Sequence, residues 1–473
     1  MSDPVIIIGA GPAGLACAQR LAQGGRAVVI IDDNMQAGGQ YFRQLPVGYK
    51  VSPHAPLLRD KPRFDALTRV LDHPNVRYLP STTVWGSPAA MSVAYAGPAG
   101  SGRVKGAAIV IAGGAQDQPF PFTGWTLPNV ISAGGALNLV KAHGLVPEGR
   151  VMVAGNGPLV LVAAATLAAA GANIVGVVEA QPSSRLASAL AMSLWAAPKL
   201  LRTALSYRRR IARAGAWFRT GRMVAQASGV DAIEKVAIAP IDENGRPRRA
   251  QQAWFDVDTL VIGYGIVPST DIARMLGCRT AFDQSLNGNA PLRSATLETS
   301  VPNVYAIGDG AGIGGVEVAL LEGRIAANAI LGVGVGADVE PMLARRYRHL
   351  DRFRRMLNIA YSRAKPLNAV EPETIVCRCE ELTFGQLQQD ASFACGDLDR
   401  LKKSSRAGMG RCQGRNCLPA LAKMLDLPPE GLSTLPRARP PLKPIPLRYL
   451  AADADAGPAH EPDEAFIHSR ETS

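Results

Sequence analysis

Val5-Ile-Ile-Ile-Gly9-Ala-Gly11-Pro-Ala-Gly14 opens the chain with four β-branched apolar residues and a Gly-x-Gly-x-x-Gly turn. An Ala/Leu-rich stretch follows, then Ala27-Val-Val-Ile-Ile31 and the acids Asp32-Asp33. The apolar runs read as parallel strands buried on both faces. Gly9 permits a tight turn, Gly11 lets the backbone approach a pyrophosphate, and Gly14 lets the helix pack close to the strand. The helix N-terminus adds amide donors and positive potential. Asp32 caps the second strand near the expected distance of about 20 residues, where an acid holds a ribose hydroxyl and disfavours a 2′-phosphate. Strand, loop, helix, strand and acid in this order predict a nucleotide site and an α/β fold.

A second copy of the pattern, Val151-Met-Val-Ala-Gly155-Asn-Gly157-Pro-Leu-Val160, precedes an Ala-rich run and Ile174-Val-Gly-Val-Val-Glu179. It is degenerate: Val160 stands where the third glycine belongs. Three readings stay open for this copy: NAD with Glu179 on its ribose, another adenine nucleotide, or an empty vestigial fold. Val151 to Val178 has no charged residue and is long enough to span a bilayer. Gly155-Asn-Gly-Pro158 and Gly171-Ala-Asn173 break it into strand, turn, helix and strand, so no membrane span is expected.

At 473 residues the chain exceeds one core, and its 19% charged content with abundant Gly and Ala fits a close-packed α/β protein of two to four domains. The net charge of +12 comes without a recognition-helix motif or an aromatic-plus-basic platform, which argues against nucleic acid and for an acidic redox partner. Seven cysteines, without a secretory leader, point to a reducing cytoplasm. Peripheral attachment to the inner membrane stays open.

Four of those cysteines are grouped: Cys377 and Cys379 in Cys-Arg-Cys-Glu, and Cys412 and Cys417 in Cys-Gln-Gly-Arg-Asn-Cys. The Cys-x-Cys and Cys-x4-Cys spacing suits a [2Fe–2S] cluster better than tetrathiolate zinc, which more often uses Cys-x2-Cys knuckles. Gly408, Gly410 and Gly414 are placed to offer amides to the sulfurs. Lys402, Lys403, Arg406, Arg411 and Arg415 would offset cluster charge. Cys17 and Cys395 are expected in the core. No two cysteines before residue 377 are close in sequence, which argues against disulfide-reductase chemistry. His54, His73, His143, His349, His460 and His468 stand in no acid/base motif, and no catalytic residue is assigned.

Downstream, Asn303-Val-Tyr-Ala-Ile-Gly-Asp309 is a short strand ending in Gly-Asp, with a helix expected from about Val316. Ile109-Val-Ile-Ala-Gly-Gly-Ala115 and Thr259-Leu-Val-Ile-Gly-Tyr-Gly-Ile-Val-Pro268 look like crossovers between two nucleotide domains. The chain resembles two-dinucleotide-binding-domain flavoproteins, with an FAD domain and an inserted Rossmann-like domain. That resemblance implies FAD at Gly9, Gly11, Pro12, Ala13, Gly14, Asp32, Asp33, Gly39, Gln40, Gly114, Gly308 and Asp309. Gly155, Gly157 and Glu179 would serve a second nucleotide.

Gly38-Gly-Gln-Tyr-Phe-Arg43, Gly124-Trp-Thr-Leu-Pro-Asn-Val130, Cys377-Arg-Cys-Glu-Glu-Leu-Thr383, Gly408-Met-Gly-Arg-Cys-Gln-Gly-Arg-Asn-Cys417 and Arg439-Pro-Pro-Leu-Lys-Pro-Ile-Pro446 narrow it. They resemble the FAD- and [2Fe–2S]-binding alpha subunits of opine oxidases, D-hydroxyproline dehydrogenases and hydrogen cyanide synthases and, more distantly, sarcosine oxidases. The implied ligands of a C-terminal module similar to bacterioferritin-associated ferredoxin are Cys377, Cys379, Cys412 and Cys417. The implied partners are a D-amino-acid-oxidase-like beta subunit that oxidises the amine and a small ferredoxin-like subunit. FMN at a subunit interface is left open. The expected organisation is FAD-binding segments 1–118 and 258–345 around a second nucleotide domain 119–257, a helical linker 346–372, the cluster module 373–435, and a proline-rich strap with a mobile tail 436–473. An electron relay is the leading functional expectation. The alternatives are a self-sufficient NAD(P)H reductase and a structural, cofactor-bearing subunit.

Overall fold

The computed structural model describes residues 3–46, 48, 60–184, 186–187, 198–286, 288–333, 341–361, 370–424 and 435–455. Its centre is two parallel sheets of five strands each. In the first, strands run in the order Val304–Ala306, Ala108–Ile111, Val5–Ile8, Val28–Ile31 and Val76–Leu79. In the second the order is Trp217–Thr220, Asn173–Glu179, Arg150–Gly155, Thr259–Gly263 and Val130–Ser132. The central strands are apolar throughout because both faces are covered; Ile6, Ile7, Ile30 and Ile109 are fully buried. In each sheet the chain turns to opposite sides of the glycine-loop strand, creating the crevice at the strand C-termini where doubly wound folds bind ligands.

The stretch Val151 to Val178 divides as its glycines predict, into a strand to Gly155, a helix Pro158–Ala169 and a strand from Asn173. Among the described residues no helix is long and apolar enough to cross a membrane. Between the sheets, Ala115–Asp117 pairs antiparallel with Ile266–Pro268. Both segments continue the expected crossovers.

The helix Gly315–Ile330 packs against Pro12–Gln23 at close range: a Cβ on Gly323 would lie 2.4 Å from the Ala13 carbonyl oxygen. The Arg-rich start of the expected helical linker 346–372 belongs to a helix that begins earlier, Pro341–Ala360. The cysteine-rich segment contributes a small hairpin and the helices Phe384–Ala394, Leu398–Ser405 and Cys417–Met424. Its Val376, Leu387, Leu401 and Leu421 share one core with Phe120, Phe122 and Trp125 of the neighbouring unit.

Two sequence expectations change. Cys395 is exposed rather than in the core, because it sits in the left-handed position ending Phe384–Ala394. Within the stretch assigned to strap and tail, Leu447–Asp455 is a helix that packs Tyr449 and Leu450 against Trp85, Ala94 and Ala96. Residues 456–473, with His460 and His468, lie outside the described residues, as does His54.

Candidate functional site

At the C-terminal edge of the first sheet, the loop from Gly9 leads into a helix with Pro12 at its first turn and no acid there. A free helix N-terminus of this kind attracts an anionic group. A Cβ on Gly14 would lie 2.0 Å from the Gly9 carbonyl oxygen, so only glycine lets the helix sit this close. Asp32 is buried and accepts from the backbone amides of Ala10 and Asn34. The buried Tyr78 hydroxyl is near enough to feel the Asp32 charge and has no hydrogen-bond partner among the described residues. Gly39 crosses over Gly11; Gln40 and Asp33 are exposed on the rim.

The Gly308-Asp309 turn meets this cradle from the far end of the sequence. A Cβ on Gly308 would lie 3.0 Å from Ala13 Cβ, and one on Gly310 would lie 3.0 Å from the Gly114 carbonyl oxygen. Asp309 accepts from the amides of Gly314 at 2.9 Å and Gly315 at 2.8 Å, while burial pushes its carboxyl above the usual range.

Glu322, which no sequence motif singles out, fixes that turn. Completely buried, it accepts from the Gly308 amide at 2.7 Å, the Tyr347 hydroxyl at 3.0 Å and Arg293 Nη1 at 3.1 Å. Arg354 on the linker helix lies 3.7 Å from it and donates to the Gly312 carbonyl. The bonds converge on a carboxylate whose helix carries an ordinary Leu-Leu-Glu-Gly sequence; only tertiary structure reveals the role.

The second glycine loop is closed by the chain itself. Asn156 Nδ2 and Gln181 Nε2 both donate to the Tyr361 carbonyl, at 2.8 and 2.9 Å, and the Tyr361 ring stands against Gly157. Glu179 turns back onto the loop, accepting from the amides of Gly157 and Gln181. Burial pushes its carboxyl up to about 8 despite those donors. Val160 is fully buried beneath the loop. With Tyr361 seated, these residues do not fit a dinucleotide.

The four grouped cysteines come together. Cys377 and Cys417 are buried in one cluster with Leu418, and a Cβ on Gly410, two residues before Cys412, would lie 2.3 Å from Cys379 Cβ. The Cys417 contact, with amides of Gly408 and Glu380, draws the Cys377 thiol down to about 6; the Cys417 contact and amides of Asn416 and Gly414 draw Cys412 down to about 5. Among the described residues no group of three or more His, Cys, Asp or Glu is arranged to hold a metal ion. Of the five nearby cations, Arg406 pairs with Glu380 and Arg415 with Asp271.

Gln116, two residues beyond Gly114, donates at 2.7 Å to the Arg415 carbonyl, and Trp125 Nε1 donates to the Ile375 carbonyl. The cysteine loop is therefore tied to the crossover beyond Gly114 and, through Trp125, to the unit of the second sheet. Cys17 is buried in the first helix, and Cys278 is hydrogen-bonded to Thr299. Neither stands beside a second cysteine. His73 accepts from the Asn75 amide, and His143 closes the helix Ala133–His143.

Two parallel sheets with a glycine cradle define a dinucleotide-binding oxidoreductase, and residues 3–326 match the family described as pyridine nucleotide-disulphide oxidoreductase. The chain belongs to that family, as a flavoprotein with FAD as its cofactor. Its curated relatives are narrower in kind. It is 31% identical to the A subunit of opine oxidase from Rhizobium meliloti, over 94% of this chain and 98% of the relative. Hydrogen cyanide synthase subunit HcnB of Pseudomonas aeruginosa is 32% identical, over 87% and 90%. The fold is similar to that of L-proline dehydrogenase from P. horikoshii, with a TM-score of 0.65 at 19% identity over 95% of this chain and 79% of that one.

Proposed function

We propose that this chain is the electron-transfer subunit of a multisubunit FAD-dependent amine or imino-acid dehydrogenase of opine or D-hydroxyproline type. The four grouped cysteines carry the reading, in a segment whose Arg415 carbonyl accepts from Gln116 just beyond Gly114. Gly9, Gly11, Pro12, Ala13, Gly14, Asp32, Asp33, Gly39, Gln40, Gly114, Gly308 and Asp309 are proposed to hold FAD, and Cys377, Cys379, Cys412 and Cys417 a [2Fe–2S] cluster. FAD exchanges electrons in pairs or singly and the cluster exchanges them singly, which suits the pair to relaying what a partner takes from the substrate. This chain's contribution is placement: Gln116 and Arg415 join the two sites, and Glu322 holds the Gly-Asp turn.

Relatives named as subunits support a partner, proposed as a D-amino-acid-oxidase-like beta subunit with a small ferredoxin-like chain. FMN between subunits belongs to the same proposal. Lys402, Lys403, Arg437 and Arg439 line one groove beside the cysteine loop, a basic face suited to an acidic partner. The closure by Tyr361 speaks against an NAD(P)H reductase, since the nicotinamide nucleotide would need that loop.

Iron content tests the ligand set. About two irons per chain are expected in the native protein, with loss of the cluster spectrum but retention of FAD in Cys412→Ser. Unchanged iron in that variant would remove Cys412 from the ligands.

A further inference from the structure

The proline-rich strap contacts more than its composition suggests. Leu442 is 3% exposed and packs in the core with Ile8, Ile31 and Val84, beside the strands that carry the first cradle. Its amide donates at 2.9 Å to the Trp85 carbonyl, and its carbonyl accepts at 2.9 Å from Arg415 of the cysteine loop. Anchored by that leucine, Lys443 forms an ion pair with Asp33 at the rim of the cradle.

We propose that residues 435–446 are a clasp on the adenosine end of FAD, with Lys443 as the residue that holds it shut. Asp32 and Asp33 put two acids where the ribose is assigned, and the pyrophosphate brings two more negative charges. Lys443 is the cation that the strap sets among them. Burial pulls its ammonium below the usual lysine range, and the Asp32 charge opposes this. A lysine flanked by a buried Leu442 and by Pro444 has little freedom to swing away. FAD then leaves only after the strap lifts and the Lys443–Asp33 pair opens.

The proposal rests on the assignment of Asp32 to the ribose. The experiment is FAD release from the holo-chain, followed by recovery of free-flavin fluorescence on dilution, with ADP binding to the apo-chain measured in parallel. Lys443→Gln is expected to release FAD about tenfold faster and to weaken ADP about tenfold, with Lys443→Arg restoring most of both. A wild-type release rate that climbs severalfold between about 20 and about 500 mM KCl is expected too, and it needs no variant to fold. A salt-independent rate, or release and ADP affinity within about twofold of wild type in a folded Lys443→Gln chain, overturns the clasp. Asp32→Ala separates the two ideas: undiminished FAD and ADP affinity there would remove the ribose assignment itself.

Discussion

Asp32 and Glu179 occupy equivalent places in two copies of one motif, and their surroundings separate them. Both accept from an amide of their own glycine loop and from the amide two residues on, but only the second loop is covered, by Tyr361. For Glu179 the folded carboxyl is raised from 4.5 to about 8, chiefly by burial. The folded state therefore binds the proton more tightly than the unfolded chain. Its stabilisation is complete below 4.5 and drains as pH rises toward about 8. Glu179→Gln, which mimics the protonated form, should flatten the fall in melting temperature between about pH 5 and about pH 9; parallel curves for variant and wild type would refute the assignment. The motif residues were legible because each backbone constraint admits few residue types. Tyr361, Glu322 and Lys443 were not, because their roles come from contacts with segments far away in sequence and no local pattern encodes them.

Among elements, the linker helix Pro341–Ala360 does the joining. Arg354 reaches the Gly-Asp turn, and the residue after the helix closes the second loop. Its helical character was readable from composition, but its inward face was not, since a run of arginines usually marks a solvated surface. Removing Glu322 would leave Arg293 and Arg354 as buried charges without their shared acid. Glu322→Ala should cost about 3–5 kcal/mol in urea unfolding and lower FAD content. A loss under about 1 kcal/mol would show that the network is not needed to hold the turn. The helix Leu447–Asp455 escaped the sequence reading because its acidic, alanine-rich sequence resembles a solvated tail; the apolar Tyr449-Leu450 pair finds its cover only on a distant sheet.

Across the whole molecule, the two parallel sheets were legible because two strand-loop-helix-strand patterns each imply one and parallel strands need their crossover helices. How the cysteine segment docks was not, as it depends on single contacts such as Gln116 with the Arg415 carbonyl and Trp125 with the Ile375 carbonyl. Those contacts hold the cysteine segment against the crossover and the second sheet's unit, with a basic groove alongside. The most direct test is to purify the chain anaerobically, alone and with the proposed amine-oxidising partner, and to follow flavin and cluster absorbance on adding NADH or a panel of imino acids. A relay subunit predicts bleaching of both centres by an imino acid only when the partner is present; rapid bleaching of the isolated chain by NADH would contradict it.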